Sequence, residues 1–111
     1  MKLLVAGSRS ITDFDLSEHI PDGVHLIISG GAKGIDTLAE QYADVHGIDK
    51  LIIRPQYEKF GRAAPIKRNE QMVDICDAVL AVWDGKSRGT GYTLNYARKK
   101  EKEIIEVVIE E

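Results

Sequence analysis

Five short apolar runs alternate along the chain with stretches in which apolar residues recur every three or four positions. The runs are typical of buried strands and cover residues 2–6, 24–28, 49–54, 78–83 and 103–109. The fourth run, AVLAVW, is apolar throughout. A run of this kind predicts a central strand that is covered on both faces of a sheet.

Helical spacing predicts three main helices between these strands. The first covers residues 35–46 and ends at Gly47, the second begins at Pro65 and ends near residue 75, and the third ends near residue 100. Thr90 is a plausible N-cap for the third. Residues 55–64 are predicted to be a loop, and a weak short helix is expected around residues 13–19.

Strands that alternate with helices predict an α/β fold with a doubly wound sheet of about five mostly parallel strands. The chain has 111 residues, which suits a single domain spanning residues 1–111. Ligands of such sheets bind beyond the carboxyl ends of the strands. The loops 7–10, 29–34, 55–64 and 84–90 all follow strands, so we expect them to share that edge.

A glycine-rich turn joins the second strand to the first helix. Residues 29–36 read SGGAKGID, with glycines at positions 30, 31 and 34. A strand, a glycine turn and a helix N-terminus direct free N–H groups toward an anion. The turn therefore predicts a phosphate or nucleotide site, although it matches neither G-x-G-x-x-G nor the Walker loop. A turn that only packs the helix against the sheet is the alternative.

The charge distribution supports an anionic ligand. The formal net charge is −3, which argues against a general nucleic-acid binder. Basic residues nevertheless concentrate in or beside the predicted loops, at Arg9, Lys33, Arg54, Lys59, Arg62, Lys67, Arg68, Lys86 and Arg88. Random exposure of charged residues would give mixed signs in the loops. We therefore expect a basic rim at the ligand-binding edge of the sheet.

Other features exclude several classes of protein. The single Cys76 rules out an internal disulfide framework and fits a reducing cytoplasm. The three histidines are scattered, so no metal site is expected. The apolar run at residues 1–6 is too short for a signal peptide, and no run reaches the length of a membrane span. We expect a cytoplasmic protein without membrane contacts.

The candidate ligand- or phosphate-binding residues lie in these loops and at the start of the second main helix. They are Gly7, Ser8, Arg9, Ser29, Gly30, Gly31, Ala32, Lys33, Gly34, Asp36, Arg68, Asn69, Asp84, Ser87, Gly89 and Thr90. Arg68 is the most informative, because a positive charge in a first helical turn opposes the helix dipole unless an anion lies nearby. The serines could instead cap local backbone.

Catalytic residues are not identified by the sequence. We find no nucleophile–base pair, and no histidine lies near the proposed rim. Asp36, Asp84 and Glu40 are weak candidates for a general base, and their spacing selects none of them. Asp36 in a first helical turn is at least as well explained by the helix dipole, and Glu40 by a solvated helix position. The sequence leaves open whether the protein is an enzyme.

Four motifs together resemble the YspA-like branch of the SLOG superfamily. They are residues 7–9 (GSR), residues 29–36 with Ala39 and Glu40, residues 61–69 with Met72, and residues 83–90 (WDGKSRGT). The superfamily also includes DprA (Smf) and the Lonely Guy phosphoribohydrolases. The resemblance implies a Rossmann-like domain that binds nucleotides or nucleotide-derived molecules, often as a homo-oligomer. It implies a sensor or processing module without a settled reaction.

Two relatives suggest narrower functions. The Lonely Guy motif Pro-Gly-Gly-X-Gly-Thr-X-X-Glu would need Thr at Ile35 and Glu at Leu38, so its chemistry does not transfer. The turn at residues 29–36 is very similar to the DprA motif, which implies single-stranded DNA binding. We rank that function lower because the domain is small and net acidic. The expected ligand is a nucleotide or a derivative such as ADP-ribose, no cofactor is certain, and a hydrolase of N-glycosidic or phosphate-ester bonds is the other alternative.

Overall fold

The computed structural model describes residues 1–110 and shows strands and helices in regular alternation. Their order is β1 (Lys2–Gly7), a 3-10 turn (Leu16–Glu18), β2 (Leu26–Ser29), α1 (Ile35–His46), β3 (Asp49–Ile52), α2 (Tyr57–Phe60), a second 3-10 turn (Gly61–Ala63), α3 (Ala64–Ile75), β4 (Ala78–Trp83), α4 (Arg88–Lys99) and β5 (Glu103–Val108). Within residues 1–110, no helix has the length and apolar character that a membrane crossing requires.

The five strands form one parallel sheet in the order β3-β2-β1-β4-β5. The predicted Rossmann-like α/β fold is therefore confirmed. The chain builds β1, β2 and β3 outward in one direction, crosses back through α3, and continues outward through β4 and β5. The order of the strands reverses between β1 and β4. Beyond the carboxyl ends of these two strands lies the crevice in which such sheets bind ligands.

Each face of the sheet is covered by a different set of helices, because alternate residues of a strand point to opposite faces. On one face Val5 and Leu80 pack with Ile35 of α1. On the other face Leu4 and Val79 pack with helix α3, which contributes Met72 and Val73, and with Ala97 of α4. Burying a Leu or Val side chain contributes about 1.5–3 kcal/mol. Five of the six residues of β4 are buried, as predicted for a central strand.

Three local predictions differ from the structure. The predicted loop at residues 55–64 contains α2 and a 3-10 turn, which are too short to show helical periodicity. The weak helix at residues 13–19 is reduced to the 3-10 turn Leu16–Glu18. Thr90 is not the N-cap of the last main helix, because Gly91 donates its N–H to the carbonyl of Ser87 at 3.0 Å and α4 already begins at Arg88.

Candidate functional site

Two adjoining cavities open at the carboxyl ends of β1 and β4. The inner cavity measures about 130 Å³ and is lined by Ala6, Gly7, Arg9, Ala32, Asp36, Pro65, Arg68, Asn69, Met72, Gly89, Thr90 and Thr93. The outer cavity measures about 390 Å³ and is lined by Gly7, Arg9, Ser10, Ser87, Gly89 and Thr90. The two cavities share Gly7, Arg9, Gly89 and Thr90 and so form one continuous site.

The turn before α1 is closed by hydrogen bonds within the protein. The N–H of Ile35 donates to the carbonyl of Ser8 at 3.3 Å, and the N–H of Ala32 donates to the carboxylate of Asp36 at 3.1 Å. The N–H of Gly31 donates to the hydroxyl of Ser29 at 3.1 Å. Three of the backbone N–H groups that were expected to bind an anion therefore already donate to protein acceptors.

The glycines of this turn are required for close packing. Gly34 has φ of +74°, and a Cβ built on it would lie 2.4 Å from the carbonyl oxygen of Ser8. Cβ atoms on Gly30 and Gly31 would lie 2.8 Å and 2.7 Å from the guanidinium groups of Arg68 and Arg54. Other atoms of the protein occupy the space in which a side chain at each of these positions would lie. Contacts of these glycines with phosphate stay a prediction without geometric support.

Ser29 and Glu40 form a partly buried pair behind the turn. The Ser29 side chain is fully buried, and its hydroxyl donates to Oε2 of Glu40 at 2.9 Å. Glu40 is therefore not a simple solvated position on α1, as the sequence suggests. It fixes the hydroxyl that receives the N–H of Gly31. Because its carboxylate is engaged in this way, the structure favours a positioning role for Glu40.

Ser8 and Asp84 organise the second glycine-rich turn. The buried hydroxyl of Ser8 accepts the N–H of Asp84 at 3.0 Å and lies 3.1 Å from the hydroxyl of Ser87. The carboxylate of Asp84 accepts the N–H groups of Lys86 and Ser87 at 2.8 and 2.9 Å. These bonds hold the pKa of Asp84 below its usual value. A carboxylate held in its ionised form by such bonds is a weak general base.

The N-terminus of α4 is more open than that of α1, where the N–H of Ile35 is bound to the carbonyl of Ser8 and those of Asp36 and Thr37 have no acceptor within residues 1–110. Ser87 occupies the N-cap position without a side-chain hydrogen bond to the helix. Within residues 1–110, the N–H groups of Arg88, Gly89 and Thr90 have no hydrogen-bond acceptor. No atom lies within 4 Å of a Cβ built on Gly89. The first turn of α4 therefore presents free donors beside both cavities.

Arg68 and Asn69 extend from the start of α3 into the inner cavity. Nη1 of Arg68 donates to the carbonyls of Gly30 and Ile53 at 2.6 and 3.3 Å, and its Nε donates to Oδ1 of Asn69 at 2.9 Å. Burial lowers the pKa of the Arg68 guanidinium, and the charge of Asp36 partly offsets this effect. Arg68 thus connects α3 to the ends of β2 and β3.

Asp36 is the acidic residue of the inner cavity. Its side chain is only 8% exposed, and burial raises the pKa of its carboxyl group. The N–H of Ala32, then the charge of Arg68, lower that pKa but do not cancel the effect of burial. Of the three candidate bases, Asp36 lines the cavities, whereas Glu40 and Asp84 do not.

The structure divides the predicted residues into two groups. Those that line the cavities are Gly7, Arg9, Ala32, Asp36, Arg68, Asn69, Ser87, Gly89 and Thr90. Those behind or beside them are Ser8, Ser29, Gly30, Gly31, Lys33, Gly34 and Asp84. Thr93 and Met72 also line the inner cavity, and neither was predicted from the sequence as a ligand-binding residue. Both lie four residues after a predicted residue of the same helix, which is the spacing of neighbours on one helical face.

Comparisons with known proteins identify the fold. No protein-family model matches the sequence. The chain is 40% identical over 70 residues to the uncharacterized SPbeta prophage-derived protein YoqJ of Bacillus subtilis strain 168, a match that covers 60% of this chain and 40% of YoqJ. It is 28% identical over 111 residues to the Gene 61 protein of Mycobacterium phage D29, covering 88% of this chain and 89% of that protein.

The crystal structure of DNA processing protein A (DprA) from Streptococcus pneumoniae is similar to this chain with a TM-score of 0.78 and 18% sequence identity. The match covers 95% of this chain and 49% of DprA. The chain thus spans about two fifths of YoqJ and half of DprA. The predicted relation to DprA is confirmed at the level of the fold. Membership of the YspA-like branch stays a prediction.

Proposed function

We propose that this chain binds a nucleotide or a nucleotide-derived molecule across the two cavities, with its phosphate at the N-terminus of α4. The observation that carries this proposal is the open first turn of α4 beside Arg9. Free N–H groups and the positive end of the helix dipole favour an anion at that position. Arg9 is exposed and lines both cavities, so its planar guanidinium can pair with phosphate oxygens.

Gly89 supports this position for the phosphate. A glycine within a helix costs up to about 1 kcal/mol relative to alanine. No neighbouring atom in residues 1–110 requires a glycine at this position, because the space around its Cβ is open. Close approach of a ligand to the backbone of α4 would explain the glycine. The glycines of the turn before α1 need no such explanation, because protein atoms fill the space around them.

The dimensions of the cavities indicate how a ligand would lie. Pockets for drug-sized ligands measure about 300–1,000 Å³. The inner cavity is below this range and the outer cavity is within it. A nucleotide would therefore occupy both, with the phosphate in the outer cavity and the remainder directed inward.

A second candidate function is the binding of a nucleic-acid strand, which the fold shared with DNA processing protein A favours. The exposed Arg54, Lys59 and Arg62 provide additional positive charge on the chain between β3 and α3. Such binding would weaken steeply with salt, since it releases counterions from the phosphates. Binding of a mononucleotide would depend on salt much less.

Isothermal titration calorimetry with AMP and ADP-ribose tests the proposed site. We expect saturable binding by the parent protein and a loss of about ten- to a hundredfold in Arg9→Ala, the range for a hydrogen bond to a charged group. Gly89→Glu places a carboxylate at the phosphate position and should abolish binding. Gly89→Gln has the same size without the charge, so it separates repulsion from steric hindrance.

The matched control is Lys99→Ala, which removes a positive charge at the opposite end of α4. Its affinity should equal that of the parent. Undiminished binding in Gly89→Glu would contradict the assignment of the phosphate to α4. If neither ligand binds but a short single-stranded oligonucleotide binds with strong salt dependence, the second candidate function replaces the first.

A further inference from the structure

The inner and outer cavities present different charges. The outer cavity is lined by Arg9, Ser87 and Gly89, with no acidic residue among its lining residues. The inner cavity contains the carboxylate of Asp36 together with Arg68. A phosphate in the inner cavity would meet this carboxylate at close range, which is unfavourable for two anions. The inner cavity therefore suits the part of a nucleotide that lies next to the phosphate and carries no negative charge.

One oxygen of Asp36 is available to a ligand. Oδ2 accepts the N–H of Ala32, whereas Oδ1 has no hydrogen-bond partner within residues 1–110. In that part of the chain, no fully buried side-chain oxygen or nitrogen lacks a partner. Oδ1 is therefore not fully buried, and Asp36 lines the inner cavity. A carboxylate oxygen only accepts hydrogen bonds, so the ligand group that it meets must donate.

Asn69 provides the complementary donor. Its Oδ1 accepts the Nε–H of Arg68 at 2.9 Å, and this bond fixes which end of the amide is which. The NH₂ group of Asn69 is left to donate, and Asn69 lines the same cavity as Asp36. A hydroxyl group both donates and accepts. An acceptor from α1 and a donor from α3 around one cavity therefore match a pair of sugar hydroxyls.

We propose that Asp36 is a specificity-determining residue that accepts a hydrogen bond from the 2′-hydroxyl of a ribose, so that the site selects ribonucleotides over 2′-deoxyribonucleotides. This inference rests on the proposed function. Ribose is the part of a nucleotide bonded directly to the phosphate. Since the two cavities share Arg9 and Gly89, the group next to a phosphate in the outer cavity is the group that enters the inner one. An amino group of the base lies farther from the phosphate.

The test compares the affinities of AMP, 2′-deoxy-AMP and ribose 5-phosphate by isothermal titration calorimetry. A hydroxyl bound to a carboxylate should favour AMP over 2′-deoxy-AMP by about ten- to a hundredfold. Ribose 5-phosphate lacks a base and should still bind. In Asp36→Asn the ratio of the two AMP affinities should fall toward one. Asp44→Asn makes the same change at an exposed position of the same helix and should keep the parental ratio.

Equal affinities for AMP and 2′-deoxy-AMP in the parent would overturn the inference while leaving the proposed function intact. The same conclusion would follow if Asp36→Asn kept the parental ratio. A ratio of one for these ligands together with a preference for AMP over IMP would show that the base amine is read instead. Absence of binding by every nucleotide would contradict the proposed function itself. Because the readout is a ratio within each variant, a general loss of stability cannot imitate the expected result.

Discussion

The turns that precede α1 and α4 are similar in sequence, and both bind N–H groups of their own, but they differ at the start of the helix: the first N–H of α1 is bound by protein and that of α4 is not. Each follows a strand, contains glycine and begins a twelve-residue helix. The turn before α1 is richer in glycine, and its N–H groups at positions 31, 32 and 35 are bound by protein acceptors. The turn before α4 leaves the first N–H groups of its helix open beside two cavities.

The comparison shows that glycine content alone does not identify an anion site. A glycine can allow a ligand to approach the backbone, or it can allow another part of the protein to do so. At Gly34 the approaching atom is the carbonyl oxygen of Ser8, and at Gly89 the adjacent space is open. The state of the N–H groups and the space around the missing Cβ distinguish the two cases.

The largest expected effect on stability comes from replacing a glycine by alanine at the start of each helix, Gly34 before α1 and Gly89 within the first turn of α4. Gly34→Ala combines a positive φ with a backbone clash and should destabilise the fold by about 3 kcal/mol or more. Gly89→Ala adds a better helix former in open space and should stabilise the fold by up to about 1 kcal/mol. Urea unfolding of the two variants measures the difference. Similar changes in both would show that the turns do not differ as described.

The next largest effect on stability should distinguish the two arginines that line the inner cavity. Arg68→Ala removes the donor from the carbonyls of Gly30 and Ile53, and should cost about 2–4 kcal/mol of unfolding free energy. Arg9→Ala, at an exposed position, should change stability by less than about 0.5 kcal/mol. Arg9→Ala can therefore be used to measure the contribution of an arginine to ligand binding without a large change in stability. Equal destabilisation by the two substitutions in a denaturant titration would contradict these roles.

The smallest effect is on the pH dependence of stability, through the carboxylates of Asp36 and Asp84. Because burial raises the pKa of folded Asp36, the ionised form destabilises the fold at neutral pH, and this penalty disappears below the ordinary value of 3.8. Asp36→Asn should therefore be more stable than the parent at pH 7, with the advantage vanishing toward pH 3. The charged groups that face Asp36 are Arg68, Glu40 and Arg9.

Asp84→Asn is the control of opposite sign. The pKa of Asp84 is lowered in the fold, so its ionised form contributes stability above pH 3.8 that is lost as the pH falls through the lowered value. This variant should be less stable than the parent at pH 7 and converge with it in acid. Thermal midpoints between pH 3 and 7 measure both trends. Trends of the same sign would contradict the environments described for the two side chains.

The sequence predicted the sheet well because its signals are local. The apolar run 78–83 coincides with β4, and the helix at residues 35–46 ends at the left-handed Gly47 as expected. Segments of three or four residues, such as α2, were missed because a single helical turn is too short to show a repeating pattern. Homo-oligomerisation and the YspA-like assignment stay predictions.

The sequence predicted candidate residues at the edge of the sheet where the two cavities lie, and it named both turns; the structure leads us to propose the phosphate at α4. Parallel strands bring their carboxyl ends together, so Arg9, Asp36 and Asn69 were expected to meet and do so. One of the bonds that close the turn before α1, from the N–H of Ile35, goes to the carbonyl of Ser8 in a loop far away in the chain. No local pattern shows whether a distant acceptor will reach an N–H group. That distinction required the three-dimensional structure.

We propose that the phosphate binds at α4 and not at α1. A titration of ¹⁵N-labelled protein with AMP, followed by backbone amide chemical shifts, tests it directly. If the phosphate binds at α4, the largest saturating changes should occur at Arg88, Gly89 and Thr90, with little change at Gly31 and Ile35. Large changes confined to Gly31 and Ile35, with α4 unaffected, would contradict it.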